Sequence, residues 1–373
     1  MYVSRLLIVA SLAALLIAAP AAEAAKKTRV PRGFTSVVLD MGLEDDPPAT
    51  LAKQIELMRV NGVQSLRTVF NWSEMQPAPN GAFDFSRTDT IVREASLRRI
   101  EVLPVMLYAP RWARVFPDAY ASPPQTEPYR GFLRAAIARY GSRGSFWAQN
   151  PGVPRRPVRY WQVSNEPHLR VFWDAPGSSR FAWPLGYARL LQAAHKTIHR
   201  ADRRAKTVLA GLFGASWTEL RRLYRAGRTE GKFDVAAIHI YVQNEARVVE
   251  SVRRVRRELR RAGDGKKRLW ITEFSFPSSL GRADPIANQR QETPEGMAKR
   301  LTGTYLALAR KRRALRLDRA YWYTWTSSYP FPRGSSNFDY SGLTARRGAF
   351  SYEPQPALEA FRRVADRLRR ARF

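Results

Sequence analysis

The sequence predicts a single (β/α)8 barrel, and three observations lead to this fold class. Eight short apolar segments have strand-like composition, helical segments alternate with them, and no linker or low-complexity stretch divides the 373 residues. Such alternation favours parallel strands joined by crossover helices, and eight units are the number that closes a barrel. With 45% hydrophobic residues, the chain has enough apolar side chains for one large core.

The eight predicted strands are short runs rich in apolar, β-branched or aromatic residues. In chain order they lie within residues 34–39, 63–70, 100–107, 159–167, 207–211, 234–241, 268–274 and 319–325. The fourth strand ends at Pro167, because proline has no backbone N–H to continue the ladder.

The predicted helices between these strands carry apolar residues at every third or fourth position. They include residues 87–99, 129–140, 187–203, 248–259 and 356–368, with further helices beginning near Pro48 and Pro294. The segment after Gly211 has the weakest helical pattern, so the count of eight units depends most on that segment.

Residues 1–24 are predicted to be a signal peptide. Arg5 provides the positive charge, an apolar run covers residues 6–19, and Ala22-Glu23-Ala24 offers small residues for cleavage. The apolar run is shorter than the ~20 residues of a spanning helix, which favours cleavage over a retained anchor. No later stretch is long and apolar enough to span a bilayer. We therefore expect a catalytic domain at residues 25–373 that is secreted or associated with the cell surface.

The absence of cysteine limits the chemistry of this chain. Disulfides, thiolate metal sites and a cysteine nucleophile are excluded. The four histidines, His168, His195, His199 and His239, have a spacing that matches no common metal motif. We therefore predict no metal and no cofactor.

The net charge of +31 is carried mainly by arginine and is distributed along the whole chain. Charge of this size is also found in nucleic-acid-binding proteins. Because many basic residues fall on helical faces, as at 253–261, a solvated basic surface is the favoured interpretation and no specific nucleic-acid partner is predicted. Electrostatic attraction to an anionic polysaccharide or cell-surface polymer is the second interpretation.

Two of the predicted strands end in a glutamate. The stretch 159–167 places Asn165 and Glu166 just before Pro167, and the stretch 268–274 ends with Glu273 and a phenylalanine. Active sites of (β/α)8 barrels lie at the carboxyl ends of the strands. Retaining glycoside hydrolysis needs two carboxyl groups, one as the proton donor and one as the nucleophile.

Further polar or aromatic residues fall late on other predicted strands, namely Arg67, His239, Tyr241 and Trp325. Each of them alone has an ordinary structural explanation, such as a surface salt bridge, a buried histidine or core packing. Their joint occurrence at the strand ends, together with the two glutamates, favours an active site.

With these residues the sequence resembles the clan A glycoside hydrolases, a group of retaining (β/α)8 enzymes. The resemblance is carried by Asn165-Glu166-Pro167, by Glu273, by His239-Ile240-Tyr241 and by Arg67. The stretches 70–77 and 109–113 are similar to those of family 39 and of the cellulase-like family 5. The resemblance covers nearly all of residues 25–373.

The resemblance implies a role for each site residue. Glu166 would be the general acid and base, and Glu273 the nucleophile. Tyr241 would orient Glu273, Arg67 would keep it charged, and Asn165 would bind the sugar 2-hydroxyl. His239 is a further substrate-site residue. Trp325 would form the apolar floor under the sugar, with Trp322 as the fallback. Four loop tryptophans are candidate sugar platforms or loop packing: Trp72, Trp112, Trp173 and Trp183.

The sequence therefore predicts an exported retaining glycoside hydrolase that cleaves a β-linked polysaccharide or glycoside. The partner is a carbohydrate substrate. A non-catalytic carbohydrate-binding barrel at the cell surface is the alternative, suggested by the aromatic loop after residue 167 and the basic surface. A polyanion-binding protein, with strongly salt-dependent binding, is a third hypothesis.

Overall fold

A computed structural model describes residues 28–39, 42–285, 290–327 and 336–373. The predicted signal peptide, residues 1–24, lies outside the described residues. Eight parallel strands pair in chain order, and the first pairs with the eighth to close the barrel. The strands are β1 (Thr35–Val38), β2 (Ser65–Asn71), β3 (Glu101–Leu107), β4 (Tyr160–Val163), β5 (Lys206–Val208), β6 (Val235–Ile240), β7 (Arg268–Phe274) and β8 (Leu317–Trp322). The predicted (β/α)8 fold is confirmed.

Within the described residues, ten α-helices lie around or between these strands. They are α1 (Pro48–Val60), α2 (Trp72–Met75), α3 (Ser86–Leu97), α4 (Thr126–Tyr140), α5 (Ser145–Gln149), α6 (Leu185–Ala201), α7 (Ser216–Gly227), α8 (Glu245–Arg261), α9 (Pro294–Leu315) and α10 (Pro356–Arg370). The weakest predicted helix is α7, which buries Leu220, Leu223 and Tyr224. None of the helices in the described part of the chain is long and apolar enough to span a membrane.

The core has two layers, one between the strands and the helices and a smaller one inside the barrel. Inside the barrel, the Arg319 guanidinium lies 4.3 Å from the ring centroid of Trp270 and 4.9 Å from that of Tyr160. Arg319 also donates to Glu101 and lies within hydrogen-bond distance of Ser65 and Tyr321. These side chains fill the barrel toward the amino-terminal ends of its strands. The interior is therefore a packed core, and the opening lies at the carboxyl ends.

The eighth unit differs from the prediction. Strand β8 ends at Trp322, and a separate three-stranded sheet follows, which the sequence did not predict. Its strands are β9 (Thr326–Ser327), β10 (Thr344–Arg346) and β11 (Tyr352–Pro354). The Thr344 N–H donates to the Trp325 carbonyl at 2.9 Å, and the Trp325 N–H donates to the Val38 carbonyl of β1 at 2.9 Å. Residues 323–325 therefore keep backbone hydrogen bonds to the barrel as well as to the small sheet, although the regular strand ends at Trp322.

Candidate active site

A cleft of about 380 Å³ opens at the carboxyl ends of the strands. Its polar lining includes Arg67, Asn165, Glu166, Tyr241 and Glu273. These side chains come from β2, from the segment after β4, from the end of β6 and from β7. The tertiary structure thus brings five of the seven site residues predicted from the sequence to the lining of one cleft, and a sixth, His239, contacts two of them.

The backbone after β4 turns sharply to present its polar pair. Ser164 has φ 67° and Glu166 has φ 37°, both in the left-handed region that non-glycine residues rarely adopt. Such conformations cost about 1–3 kcal/mol each and occur preferentially at functional sites. The Glu166 N–H donates to the Gly211 carbonyl at 3.2 Å, which ties this turn to the segment after β5.

Arg67 connects several polar side chains of the cleft by hydrogen bonds. It is 4% exposed and donates three hydrogen bonds of 2.7 Å, to Gln162 Oε1, Asn165 Oδ1 and Glu273 Oε1. A guanidinium has a rigid planar array of donors, so these bonds fix the relative positions of β2, β4 and β7 side chains. Gln162 was not predicted as a site residue, and its place on β4 gives no chemical signal in the sequence.

Glu273 is held by two neighbours from other strands. Its Oε1 accepts from Arg67 and its Oε2 accepts from the Tyr241 hydroxyl at 2.6 Å. Both bonds orient the carboxyl group, and the Arg67 guanidinium forms an ion pair with it at 2.7 Å. Burial, followed by the charge of Glu273, raises the pKa of the Tyr241 phenol well above its usual value. Tyr241 therefore remains a hydrogen-bond donor across the physiological pH range.

His239 lies between the two glutamates. Its Nδ1 is 2.5 Å from Glu166 Oε1 and 3.4 Å from Glu273 Oε2. Its Nε2 is buried and has no hydrogen-bond partner among the described residues. A hydrogen on Nδ1 has two carboxyl acceptors, whereas a hydrogen on Nε2 has none, so the Nδ1–H tautomer is favoured. Burial, as the largest cause, lowers the pKa of His239 to about 3, which leaves the imidazole neutral.

The position of His239 depends on a glycine. A Cβ atom at Gly211 would lie 1.8 Å from His239 Nε2, closer than any side chain could approach. Gly211 follows β5, whereas His239 is on β6, so the imidazole packs directly against the backbone of the neighbouring segment. The absence of a side chain at residue 211 therefore allows His239 to reach Glu166.

Glu166 has the environment of a proton donor. Burial raises the pKa of its carboxyl group to about 8, against a smaller opposing effect from the Arg67 charge. Its hydrogen-bond partner among the side chains is the neutral His239, and no lysine or arginine of the described residues lies within 4.0 Å of its carboxyl oxygens. A carboxylic acid in such a site keeps its proton at neutral pH.

The two carboxyl groups are close together. One oxygen of Glu166, one oxygen of Glu273 and a ring nitrogen of His239 all lie within 4.8 Å of one another. Carboxyl separations of ~5–5.5 Å accompany retaining glycoside hydrolysis, whereas inverting enzymes need ~6.5–9.5 Å to fit a water molecule. An oxygen–oxygen distance below 4.8 Å is consistent with the shorter class.

Trp325 does not line the cleft, contrary to the prediction of an apolar floor. Its indole is completely buried and donates to Gln54 Oε1 at 2.9 Å, on α1. The fallback, Trp322, is also completely buried and donates to the Ser341 carbonyl at 2.8 Å. Because β8 ends at Trp322 and the chain continues into the small sheet, the strand-end position falls to Tyr323, which does line the cleft.

The four loop tryptophans also lie outside the cleft lining. Trp72 is completely buried and stacks on Phe132 with ring centroids 5.1 Å apart. The indoles of Trp112, Trp173 and Trp183 donate to the Gln76 carbonyl, the Phe181 carbonyl and the Glu219 carboxylate, respectively. Of the two interpretations made from the sequence, loop packing fits these contacts.

Sequence reasoning missed the aromatic walls of the cleft. They are formed by Tyr108, Phe172, Phe213, Tyr323 and Phe338. Phe338 packs edge-on against Tyr241, with ring centroids 4.8 Å apart, and Tyr323 packs edge-on against Phe338. Tyr108 directly follows β3 and has φ 58°, so its place after a strand was the signal that could have identified it.

Two groups among the described residues bring three potential metal-ligand atoms within 4.8 Å. The first is Glu166, His239 and Glu273 in the cleft. The second is His195, His199 and Asp234, although the histidine spacing had suggested no metal motif. In this second group the Asp234 carboxylate already accepts from His199 at 2.8 Å and lies 3.4 Å from the Lys206 ammonium. These contacts account for both groups as hydrogen-bonded networks.

The barrel resembles several solved glycoside hydrolase structures. A family 39 glycoside hydrolase from Bacteroides cellulosilyticus WH2 has a TM-score of 0.65 and 18% identity, over 92% of this chain and 64% of that one. A GH5_18 structure from Streptomyces cattleya in complex with GlcNAc has a TM-score of 0.65 and 15% identity, over 92% of this chain and 81% of that one. A monomeric beta-xylosidase from Caulobacter crescentus CB15 has a TM-score of 0.61 and 16% identity, over 90% of this chain and 68% of that one.

No protein-family model and no curated protein matches the sequence. The chain spans about two thirds of the length of the Bacteroides and Caulobacter proteins, 64% and 68%. At these identities the likeness demonstrates a shared fold, and the expected resemblance to family 39 and family 5 glycoside hydrolases is confirmed at that level.

Proposed function

We propose that the protein is a retaining glycoside hydrolase that cleaves a β-linked polysaccharide or glycoside by double displacement. One observation carries this proposal. Two buried strand-end carboxyl groups, Glu166 and Glu273, have oxygens within 4.8 Å of each other in one cleft. This separation suits direct attack by one carboxylate and proton transfer by the other. The fold shared with glycoside hydrolases of several families supports the same reaction class.

In this proposal Glu166 is the general acid and then the general base. Its Oε1 accepts the His239 Nδ1–H, which leaves Oε2 to carry the proton to the leaving glycosidic oxygen. The raised pKa of Glu166, about 8, keeps that proton in place at neutral pH. After the aglycone departs, the same carboxylate takes a proton from the attacking water.

Glu273 is the proposed nucleophile. Its carboxylate attacks the anomeric carbon, the bond to the leaving oxygen breaks, and a glycosyl–enzyme ester forms that water later hydrolyses. Arg67 and Tyr241 hold the carboxylate ionised and oriented. When the ester forms, the negative charge of Glu273 is lost, so these two donors also stabilise the carboxylate as a leaving group in the second step.

Asn165 is the proposed partner of the sugar 2-hydroxyl. Its Oδ1 accepts from Arg67 at 2.7 Å, which fixes the amide and leaves its Nδ2–H groups to donate. Hydrogen bonds to the 2-hydroxyl strengthen in the transition state of glycoside hydrolysis. The aromatic walls, including Tyr323 and Phe338, supply apolar faces against which sugar rings pack.

A panel of neutral aryl β-glycosides and β-linked polysaccharides tests this proposal. We expect turnover of at least one substrate, with the first-formed product in the β configuration when it is followed by NMR. An α product would contradict the retaining mechanism. Sugar binding without any turnover would instead favour the non-catalytic carbohydrate-binding barrel.

We also propose that residues 1–24 direct export and that the mature protein is secreted or associated with the cell surface. The basis is the sequence alone: Arg5, the apolar run at 6–19 and the Ala22-Glu23-Ala24 site. Expression of the full chain should give an extracytoplasmic protein whose mass corresponds to a start at Ala25. A cytoplasmic protein that retains Met1 would contradict this proposal.

A further inference from the structure

A groove of about 680 Å³ lies on the opposite side of the barrel from the cleft. It is bordered by the carboxyl-terminal ends of α4 and α6 and by residues just before β4 and β5. Because β4 begins at Tyr160 and carries Glu166 after its other end, the groove and the cleft occupy opposite ends of the barrel. A molecule bound in the groove would leave the cleft open.

The groove is strongly basic. Its lining contains six arginines and a single carboxylate, Asp202, which accepts from the Ser142 and Arg204 backbone N–H groups. Among the described residues, no carboxylate lies within 4.0 Å of five of these guanidinium groups, those of Arg143, Arg155, Arg200, Arg203 and Arg204. All five residues are exposed.

The groove has a smaller share of ion-paired arginines than α10, where three of the five arginines lie within 4.0 Å of a carboxylate of the described residues, against one of six in the groove. On α10, for example, Arg362 pairs with Glu359 at 2.6 Å and Arg369 with Asp366. Favourable interaction with the helix dipoles does not account for the arginines of the groove either, because that interaction is confined to the last turn of a helix. Only Arg200 lies within such a turn, whereas Arg143, Arg155 and Arg203 lie beyond the helix ends.

We propose that this groove is a docking surface for an anionic polysaccharide. Guanidinium groups bind carboxylate and sulfate groups through paired hydrogen bonds, and closely spaced unpaired arginines attract a polymer of repeated negative charge. The groove lining contains no aromatic side chain. Single-stranded nucleic acids are usually held by base stacking on aromatic rings, so the groove chemistry fits a saccharide polyanion better.

A membrane surface fits the groove less well for a similar reason. The exposed large hydrophobic residues of the described chain, such as Tyr120, Val171 and Phe350, all lie outside the groove lining. Docking at this site would hold the protein on an acidic glycan while the cleft at the opposite end faces the substrate.

The test compares two triple variants with the same change in charge. The groove variant is Arg143→Glu, Arg200→Glu and Arg203→Glu. The control variant is Lys53→Glu, Arg247→Glu and Lys299→Glu, on α1, α8 and α9, where the residues are exposed and make no ion pair among the described residues. Binding to polygalacturonate, heparin, single-stranded poly-dT and neutral dextran is measured at about 50 mM salt, where charge contacts are strong.

We expect the wild-type protein to bind polygalacturonate or heparin and not to bind dextran. The groove variant should lose about 100-fold in affinity, given about a fivefold loss for each lost charge contact, and the control variant no more than about threefold. Comparison of the two anionic polysaccharides distinguishes carboxylate from sulfate recognition. A glutamine version of the groove variant, with half the charge change, should show an intermediate loss.

Equal losses of affinity in the two triple variants would mean that net charge alone explains the binding, and this result would overturn the proposal. So would unchanged binding in the groove variant, or tighter binding of poly-dT than of either polysaccharide. The docking surface is independent of the proposed hydrolase activity. The groove variant should hydrolyse a small neutral aryl glycoside at the wild-type rate, and if no form of the protein does so, only the proposed function fails.

Discussion

The ends of β4 and β7 are built from similar sequences but have different chemical environments. Each strand is mainly apolar, and a glutamate lies at or just after its carboxyl end, in the cleft. Glu166 contacts a neutral imidazole and has a raised pKa because it is buried. Glu273, buried to the same 8% exposure, accepts from a guanidinium and a phenol. The two glutamates are equally buried and differ in their neighbours from other strands, and in the proposed mechanism this difference separates the acid from the nucleophile.

Removing the carboxylate of Glu273 should have the largest effect. Glu273→Ala should lower kcat by roughly 10⁴-fold or more, because no nucleophile remains. Added azide should restore turnover and give a glycosyl azide of inverted configuration, since it attacks from the face that Glu273 occupies. Glu166→Ala with azide should give the retained configuration. Identical azide products from the two variants, identified by NMR, would contradict the assignment of roles.

Replacing Glu166 by its isostere should have the next largest effect. Glu166→Gln should lower kcat/KM by about 10²–10⁴-fold for glycosides with poor leaving groups, the range for losing a general acid. Aryl glycosides with acidic phenols need little protonation and should lose much less in the first step. The leaving-group dependence of kcat/KM across an aryl series measures this, and a flat response in the variant would exclude the acid role.

The Tyr241 hydrogen bond to Glu273 should contribute less than either carboxyl group. Hydrogen bonds to charged groups contribute about 1.5–3 kcal/mol, so Tyr241→Phe should lower kcat/KM by about 10- to 100-fold. Tyr305→Phe is a matched control, because this buried hydroxyl bonds to the Ala320 carbonyl away from the cleft. The control should change thermal stability and leave kcat near the wild-type value. Equal kinetic losses in both variants would indicate a general packing effect.

The smallest expected effect is the change of activity with pH. The Glu166 acid form is present below its pKa of about 8 and is lost as the pH rises through that value. We expect kcat/KM to be retained at neutral pH and to fall about tenfold per pH unit above the pKa. Glu166→Gln should lack this alkaline limb, and a limb that persists in the variant must belong to another group.

Much of the fold and part of the site follow from local sequence patterns. The eight-unit alternation predicted the barrel, because this signal depends on residues close together in the chain. The fourth strand was predicted to run to Pro167 but ends at Val163, because the backbone turns into the left-handed region at Ser164. The eighth strand was extended three residues too far, to Trp325, since its aromatic composition stays strand-like beyond Trp322. Trp325 donates a backbone hydrogen bond to Val38 of β1 and accepts one from Thr344 of the small sheet. Such contacts between residues distant in sequence cannot be predicted from the local pattern.

The sequence by itself determined that two glutamates lie at or just after the carboxyl ends of strands in a parallel barrel, because the strand pattern is a local property. Only the tertiary structure decided what surrounds each one. Closure of the barrel brings Arg67 of β2 to Glu273 and His239 of β6 to Glu166. Tyr323, rather than Trp325, enters the cleft because of where β8 ends. Chemical roles depend on distances of a few ångströms between residues distant in sequence, and only the folded chain sets those distances.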